Sequence, residues 1–144
     1  MPRFIVKKLV RDGVPSEITT TGGTVRIRSI TNYDEAITTL KDKIIEESHD
    51  LQESGESKLL SYIVDLYEVL EMLIKIGGFK SSEVEKARKA KNDRFGNFEG
   101  FTFLEEADIK DPYWIEYYRS RPNKYTEIKE KKWTGQYTIK KNSI

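Results

Sequence analysis

Between residues 34 and 54 apolar side chains recur at helical spacing. Ile37, Leu40, Ile44 and Leu51 share one face, because residues three, four and seven apart overlie one another on an α-helix. This stripe predicts a long helix over about 34–54, capped by Asn32 or Asp34 and ending near Gly55. A second segment, about 57–76, is apolar nearly all round. Leu59, Ile63, Leu66, Leu70 and Leu73 make its main stripe, and Tyr62, Val69, Met72 and Ile76 widen it. Such a helix belongs at the centre of a fold, and Gly77-Gly78 ends it. Ser81 or Ser82, followed by Glu83, opens a third helix that reaches about Arg94. A shorter helix is expected within 108–119, around Tyr113, Trp114, Tyr117 and Tyr118, with Pro122 as its interruption.

The connecting segments are plainer. Residues 1–18 form a basic-apolar lead with a turn at Val14-Pro15 and a candidate helix start at Ser16-Glu17. Gly22-Gly23 marks a loop, and Val25 to Arg28 alternates apolar and basic like a short extended segment. Trp133 to Tyr137 reads as a turn between short strands. The whole predicts an all-α, antiparallel helical bundle. It carries a short extended N-terminal segment and an aromatic, Lys-rich C-terminal extension. A chain of 144 residues suits a single core.

Against this pattern several acids stand out. Glu47 falls inside the apolar stripe of the first long helix, between Ile44 and Leu51, and Asp50 lies at its edge. Glu46 is well off the stripe, and His49 points to the opposite side. On the second helix Asp65 lies at the margin, near Val69, Met72 and Ile76, while Ser61, Glu68, Glu71 and Lys75 form a polar wedge. A carboxylate on a core-facing stripe is costly unless it is paired or metal-bound. Two helices joined by a short loop pack antiparallel, so Glu47 and Asp50 face Asp65 across a shared cleft. Oxygen-rich clusters of this kind suit magnesium, which keeps waters and substrate phosphates in its remaining positions. The plainer reading pairs Glu47 with Lys43, one turn earlier.

Composition narrows the chemistry. The 25 Lys and Arg nearly cancel the 24 Asp and Glu, for a net charge of +1, so nucleic acid is not an expected partner. There is no Cys, which removes disulfides and thiolate metal sites, and one His argues against a His-based metal site or a Ser-His triad. No stretch approaches the roughly 18 consecutive apolar residues of a membrane span, no signal peptide opens the chain, and a cytoplasmic protein without a membrane partner is expected. Lys8 and Arg11, with Lys7, are able to reach phosphate or to pair with acids such as Asp12. Phosphate-loop patterns are missing.

Four segments together resemble one family. Lys8-Leu9-Val10-Arg11-Asp12-Gly13-Val14-Pro15 looks like the KLVRDxIP opening of a branch of the MazG-like all-α pyrophosphatases. Glu46-Glu47-Ser48-His49-Asp50 resembles their EExxE helix, and Asp65 matches the Asp of their ExxD helix. Lys89 to Leu104, with Gly96-Asn97-Phe98-Glu99, is similar to their Lys-rich, RGGFE-type segment. The resemblance covers about residues 7–104, in order and spacing. It implies a domain over 1–104, with 105–144 as an extension packed on it or on a partner subunit. It also implies hydrolysis of a nucleoside or deoxynucleoside triphosphate to monophosphate and pyrophosphate with Mg2+, or Mn2+ in its place. Glu46, Glu47, Asp50 and Asp65 would be catalytic, with Glu47, Asp50 and Asp65 as metal ligands. Lys91 and Arg94 would meet the phosphates, and the assembly would be a homodimer or a higher homo-oligomer.

One position departs from the pattern. The first acid of ExxD falls at Tyr62, whose hydroxyl, with a pKa of about 10, is a poor magnesium ligand. Either Glu68, Glu71 or water replaces the lost ligand, or Tyr62 stacks on a base and the protein binds nucleotides without hydrolysing them. Arg94 is also one residue away from the family's Arg. A third reading is a helical interaction module that binds nucleic acid through the aromatics and lysines of residues 121–144.

Overall fold

The computed structural model describes residues 1–128, so the turn expected at Trp133 to Tyr137 lies outside the described residues. Those residues are all-α: five α-helices, one short 3₁₀ turn and no strand. The extended segment expected at Val25 to Arg28 is coil without strand pairing. No helix among the described residues is long and apolar enough to cross a membrane. The chain divides into two compact units, Met1–Lys91 and Asn92–Ile144.

In the first unit α1 spans Val14–Thr20, with Pro15 in its first turn, where a missing N–H costs nothing. The turn expected at Val14-Pro15 is thus already the helix start. The long helix α2 spans Tyr33–Glu53. Its cap is Asn32, whose side chain accepts a hydrogen bond from the Glu35 backbone N–H at 3.0 Å. After Ser54 and Gly55 a 3₁₀ turn, Glu56–Lys58, leads directly into α3, Leu59–Ile76, which packs back against α2. Helix α3 ends as a Schellman motif: Phe79 N–H donates to Ile74 O, and Gly78 N–H to Lys75 O, both at 3.1 Å. Gly78 takes φ +76°, a conformation that penalises any side chain.

Helix α4 spans Ser81–Phe95, starting one residue earlier than a serine cap would place it. Lys80 stands before the helix instead, and the Glu83 carboxylate accepts its backbone N–H at 2.7 Å. In the second unit α5 spans Pro112–Arg119, capped by Asp111, whose carboxylate accepts from Tyr113 and Trp114 N–H. The helix closes before Pro122.

The core of the first unit lies on the seam between α2 and α3. Its buried side chains are Leu40, Val69 and, at 7% exposure, Glu47. The seam face of α3 differs from the expected one. Tyr62, Asp65, Leu66, Val69, Leu73 and Ile76 are its protected residues, whereas Leu59, Ile63 and Leu70 are exposed. A helix that is apolar all round carries no contrast by which hydrophobicity alone could choose its inner face. The consequence bears on chemistry, because Asp65 stands on the packed face rather than at its margin.

Candidate functional site

The α2–α3 hairpin brings residues equally far from its turn to the same level. Glu47 and Asp65 are equidistant from Glu56 in sequence, and so are Asp50 and Tyr62. Two adjoining levels of the hairpin therefore carry most of the residues singled out above.

At the deeper level the acids meet bases. Lys43 Nζ lies 2.9 Å from Glu47 Oε1 and 3.1 Å from Glu46 Oε1, so the pairing of Glu47 with Lys43 is present. The lead supplies two more cations from far away in sequence. Lys8 Nζ lies 3.2 Å from the same Glu46 oxygen, and Arg11 Nη2 donates to Asp65 Oδ1 at 2.8 Å. Lys7, at φ 47°, turns the backbone sharply just before Lys8. Asp12 is therefore not the acid that these bases choose. Among the described residues no buried side-chain nitrogen or oxygen lacks a hydrogen-bond partner.

The titration behaviour follows from these contacts. Partial burial opposes the charge on Lys43, but hydrogen bonds to Glu47 and Glu46 overcome it and hold the ammonium above its ordinary value. Burial likewise opposes the charge on Glu46, and hydrogen bonds from Lys43 and Lys8 overcome it, so the carboxyl is held below the usual range. Arg11 is held up first by its hydrogen bond to Asp65. Desolvation opposes it, and the charges of Asp65, Glu68 and Glu47 add to the support. One guanidinium thus feels carboxylates from both helices.

At the level nearer the turn, Asp50 and Tyr62 line an open recess of about 370 Å³ together with Glu53, Ser54, Ser57 and Lys58. Asp50 is exposed there, and Tyr62 is half-buried. Glu68 is exposed on α3, one turn beyond Asp65. Two ion-paired groups result, Lys8 and Lys43 with Glu46 and Glu47, and Arg11 with Asp65, while Asp50 lies one turn nearer the hairpin turn than Glu47. As they stand, no three acids or histidines among the described residues form a group that would hold a metal. The guanidinium of Arg11 bonds Asp65 and feels Glu68 and Glu47 through their charge.

The remaining sequence candidates are placed differently. Lys91 is exposed on α4 at the end of the first unit. Arg94 belongs to the second unit, where its guanidinium lies 4.6 Å from the Phe95 ring centre. That unit is organised by aromatic rings. Trp114 meets Phe95, Tyr113, Tyr117 and Tyr118, and Tyr118 meets Tyr125 at 4.6 Å. Two contributions were missed from sequence: the joint hold of Lys8 and Lys43 on one Glu46 oxygen, and the recess formed by Ser54, Ser57 and Lys58. For the first the only available signal was charge, bases at Lys8 and Lys43 able to offset Glu46.

Compared with known proteins, the chain matches no family model, no curated protein and no solved structure.

Proposed function

We propose that this chain is a magnesium-dependent nucleoside-triphosphate pyrophosphatase of the MazG-like all-α type, splitting a nucleoside or deoxynucleoside triphosphate into monophosphate and pyrophosphate. The observation that carries the reading is the meeting of Arg11 with Asp65 across 54 positions. It joins the KLVRD lead to the ExxD-like helix, beside the buried Glu47 of the EExxE-like helix.

By the resemblance Glu47, Asp50, Asp65 and Glu68 would be the metal's ligands, which requires them to draw closer together than they lie here. Magnesium, when bound, supplies neutralisation of the phosphate charge and so opens phosphorus to attack by water. Glu46, kept ionised by its two lysines, is too weak a base to lead and acts as an acceptor that orients water. Lys8 and Arg11 offer donors to the polyphosphate, and Lys91 is a further candidate from the resemblance. The recess beside Tyr62 takes the nucleoside, with the phenol ring against the base.

We also propose that the working form is a homodimer or a higher homo-oligomer. Leu60, Val64 and Tyr67 lie on one face of α3 at helical spacing and are 74%, 50% and 63% exposed. Contiguous apolar surface of this kind marks an interface. Val64→Lys should shift the protein to a smaller mass in light scattering behind size exclusion. An unchanged mass would remove this face as the interface.

The reading is tested by pyrophosphate release from a panel of ribo- and deoxyribonucleoside triphosphates, with and without Mg2+ or Mn2+. It requires metal-dependent release from at least one of them. A second reading, nucleotide binding without hydrolysis, is favoured by one observation, Tyr62 in the place of an acid at the mouth of the recess. Binding of the same nucleotides with no release would select it.

A further inference from the structure

Helix α3 is apolar on two opposite sides. One side, with Leu66, Val69 and Leu73, is the protected face packed against α2. The other carries Leu60, Ile63, Tyr67, Leu70 and Ile74, spaced alternately three and four residues apart. Of these, Ile63 and Leu70 are exposed like Leu60 and Tyr67, and Ile74 is half-buried. Tyr67 and Val69 are two helical steps, about 200°, apart, so the two stripes look in opposite directions. Alternation of three and four is the spacing by which one helix seats another alongside it. The first unit has little else to hold it. Among its described residues the buried apolar side chains are Leu40 and Val69 alone, whereas a domain of this size closes most of its surface.

We propose that the outer stripe of α3 seats the same stripe of a second copy, antiparallel, and that the first unit folds only as this pair. The inference rests on the homo-oligomer proposed above and adds its register, its direction and its necessity for folding. In the antiparallel register Leu60 of one copy opposes Leu70 of the other, and Ile63 opposes Tyr67, so a smaller side chain meets a larger one in the central layers. A parallel pair would set two Tyr67 rings in one layer and point both helix dipoles the same way. It would also bring the two Glu71 carboxylates, at the edge of the stripe, to one level, whereas the antiparallel pair keeps them at opposite ends. Each copy gives and receives the same surface, as a two-fold axis requires. Closing the stripe takes about 600 Å² from each copy and about 1,200 Å² in all, the area at which specific pairs become stable.

The first test needs no substitution. Thermal unfolding of the full chain, followed by far-ultraviolet circular dichroism, should have a midpoint that rises about 8 °C for about a hundredfold rise in protein concentration. Direction is read by cross-linking, for which the absence of Cys leaves a clean background. Leu60→Cys and Leu70→Cys proteins, unfolded and refolded together, should be joined by a short bismaleimide into a mixed dimer that neither protein forms alone. If either variant loses its helical signal, Ile63→Cys and Tyr67→Cys, the neighbouring layer, take their place. A midpoint that does not move with concentration overturns the coupled folding, and a monomeric mass removes the dimer with it. Cross-linking of Leu60→Cys to itself, with none in the mixture, overturns the antiparallel register. A dimer that gives neither cross-link overturns the α3 pairing and leaves the homo-oligomer standing. None of these outcomes touches pyrophosphate release, so the pairing and the enzymatic reading fail separately.

Discussion

In the first unit the side-chain bonds that cross between distant segments are ionic: Lys8 to Glu46 and Arg11 to Asp65. In the second unit Arg119 pairs with Glu127 just beyond α5, but the contact between separate helices is aromatic, Trp114 with Phe95, and Tyr113, Tyr117 and Tyr118 extend it along α5. The energetics of the two kinds differ. Ring pairs add about 0.5–1.5 kcal/mol each beyond the area they bury, and ask nothing in return. Charges on an apolar seam must be desolvated, and replacing them by apolar side chains of similar volume is often neutral or stabilising. A fold that needed only stability would fill the seam at Glu47 and Asp65 with leucine. The acids of the seam are held by ion pairs, Glu47 with Lys43 and Asp65 with Arg11, and the rings by contact with one another.

The comparison can be broken in several places. The largest expected effect is on activity. Under the proposed function, Asp65→Asn removes a carboxylate charge from the seam and should lower pyrophosphate release about 100-fold, while Trp114→Ala leaves it within about twofold. Equal losses in both would show that the two units do not divide the work as described. Next in size is Lys43→Met, which leaves Glu47 at 7% exposure without its base. Urea unfolding should show a loss of about 3 kcal/mol, and a loss below about 1 kcal/mol would mean that water already reaches the pair. Trp114→Ala should cost the second unit about 2 kcal/mol through its lost ring contacts. Near-ultraviolet circular dichroism follows those contacts, and the far-ultraviolet signal of α2 and α3 should persist. The smallest effects are at the caps, where Asn32→Ala and Asp111→Ala should each cost about 1 kcal/mol of thermal stability.

Acid and base sharpen the same contrast. The Glu46 carboxyl is held below its ordinary value in the folded chain, so its contribution is present above about pH 4.5 and is lost as pH falls through the lowered value. Lys43 is raised, so its contribution is complete below about pH 10.5 and is lost as pH rises through the raised value. The Tyr125 phenol of the second unit is raised by its hydrogen bond with Tyr117, and its contribution too fades as pH rises beyond about 10. Lys43→Met should flatten the alkaline limb for the first unit and leave that of the second in place. A pH-stability profile of Lys43→Met and the wild type reads this directly.

Much of the fold was legible in the residues themselves. The stripe of Ile37, Leu40 and Ile44 marked α2, Asn32 capped it, and Gly77-Gly78 closed α3, because helix periodicity and capping are local properties. The inner face of α3 was not legible, since a helix without polar contrast leaves that choice to packing. Glu47 was conspicuous for the opposite reason, a charge on an otherwise apolar stripe. The partners of the acids split in the same way. Lys43 is one turn from Glu47 and could be read from helix geometry, whereas Arg11 meets Asp65 through a coil whose path no local rule encodes.

The measurement that tests the central claim most directly is the identity of the products. A nucleoside triphosphate incubated with the full chain and Mg2+, followed by phosphorus NMR, should yield the resonances of monophosphate and pyrophosphate. Glu47→Ala should yield neither. Diphosphate with inorganic phosphate, or products that persist in Glu47→Ala, would contradict an α,β-cleaving site built on the α2–α3 seam.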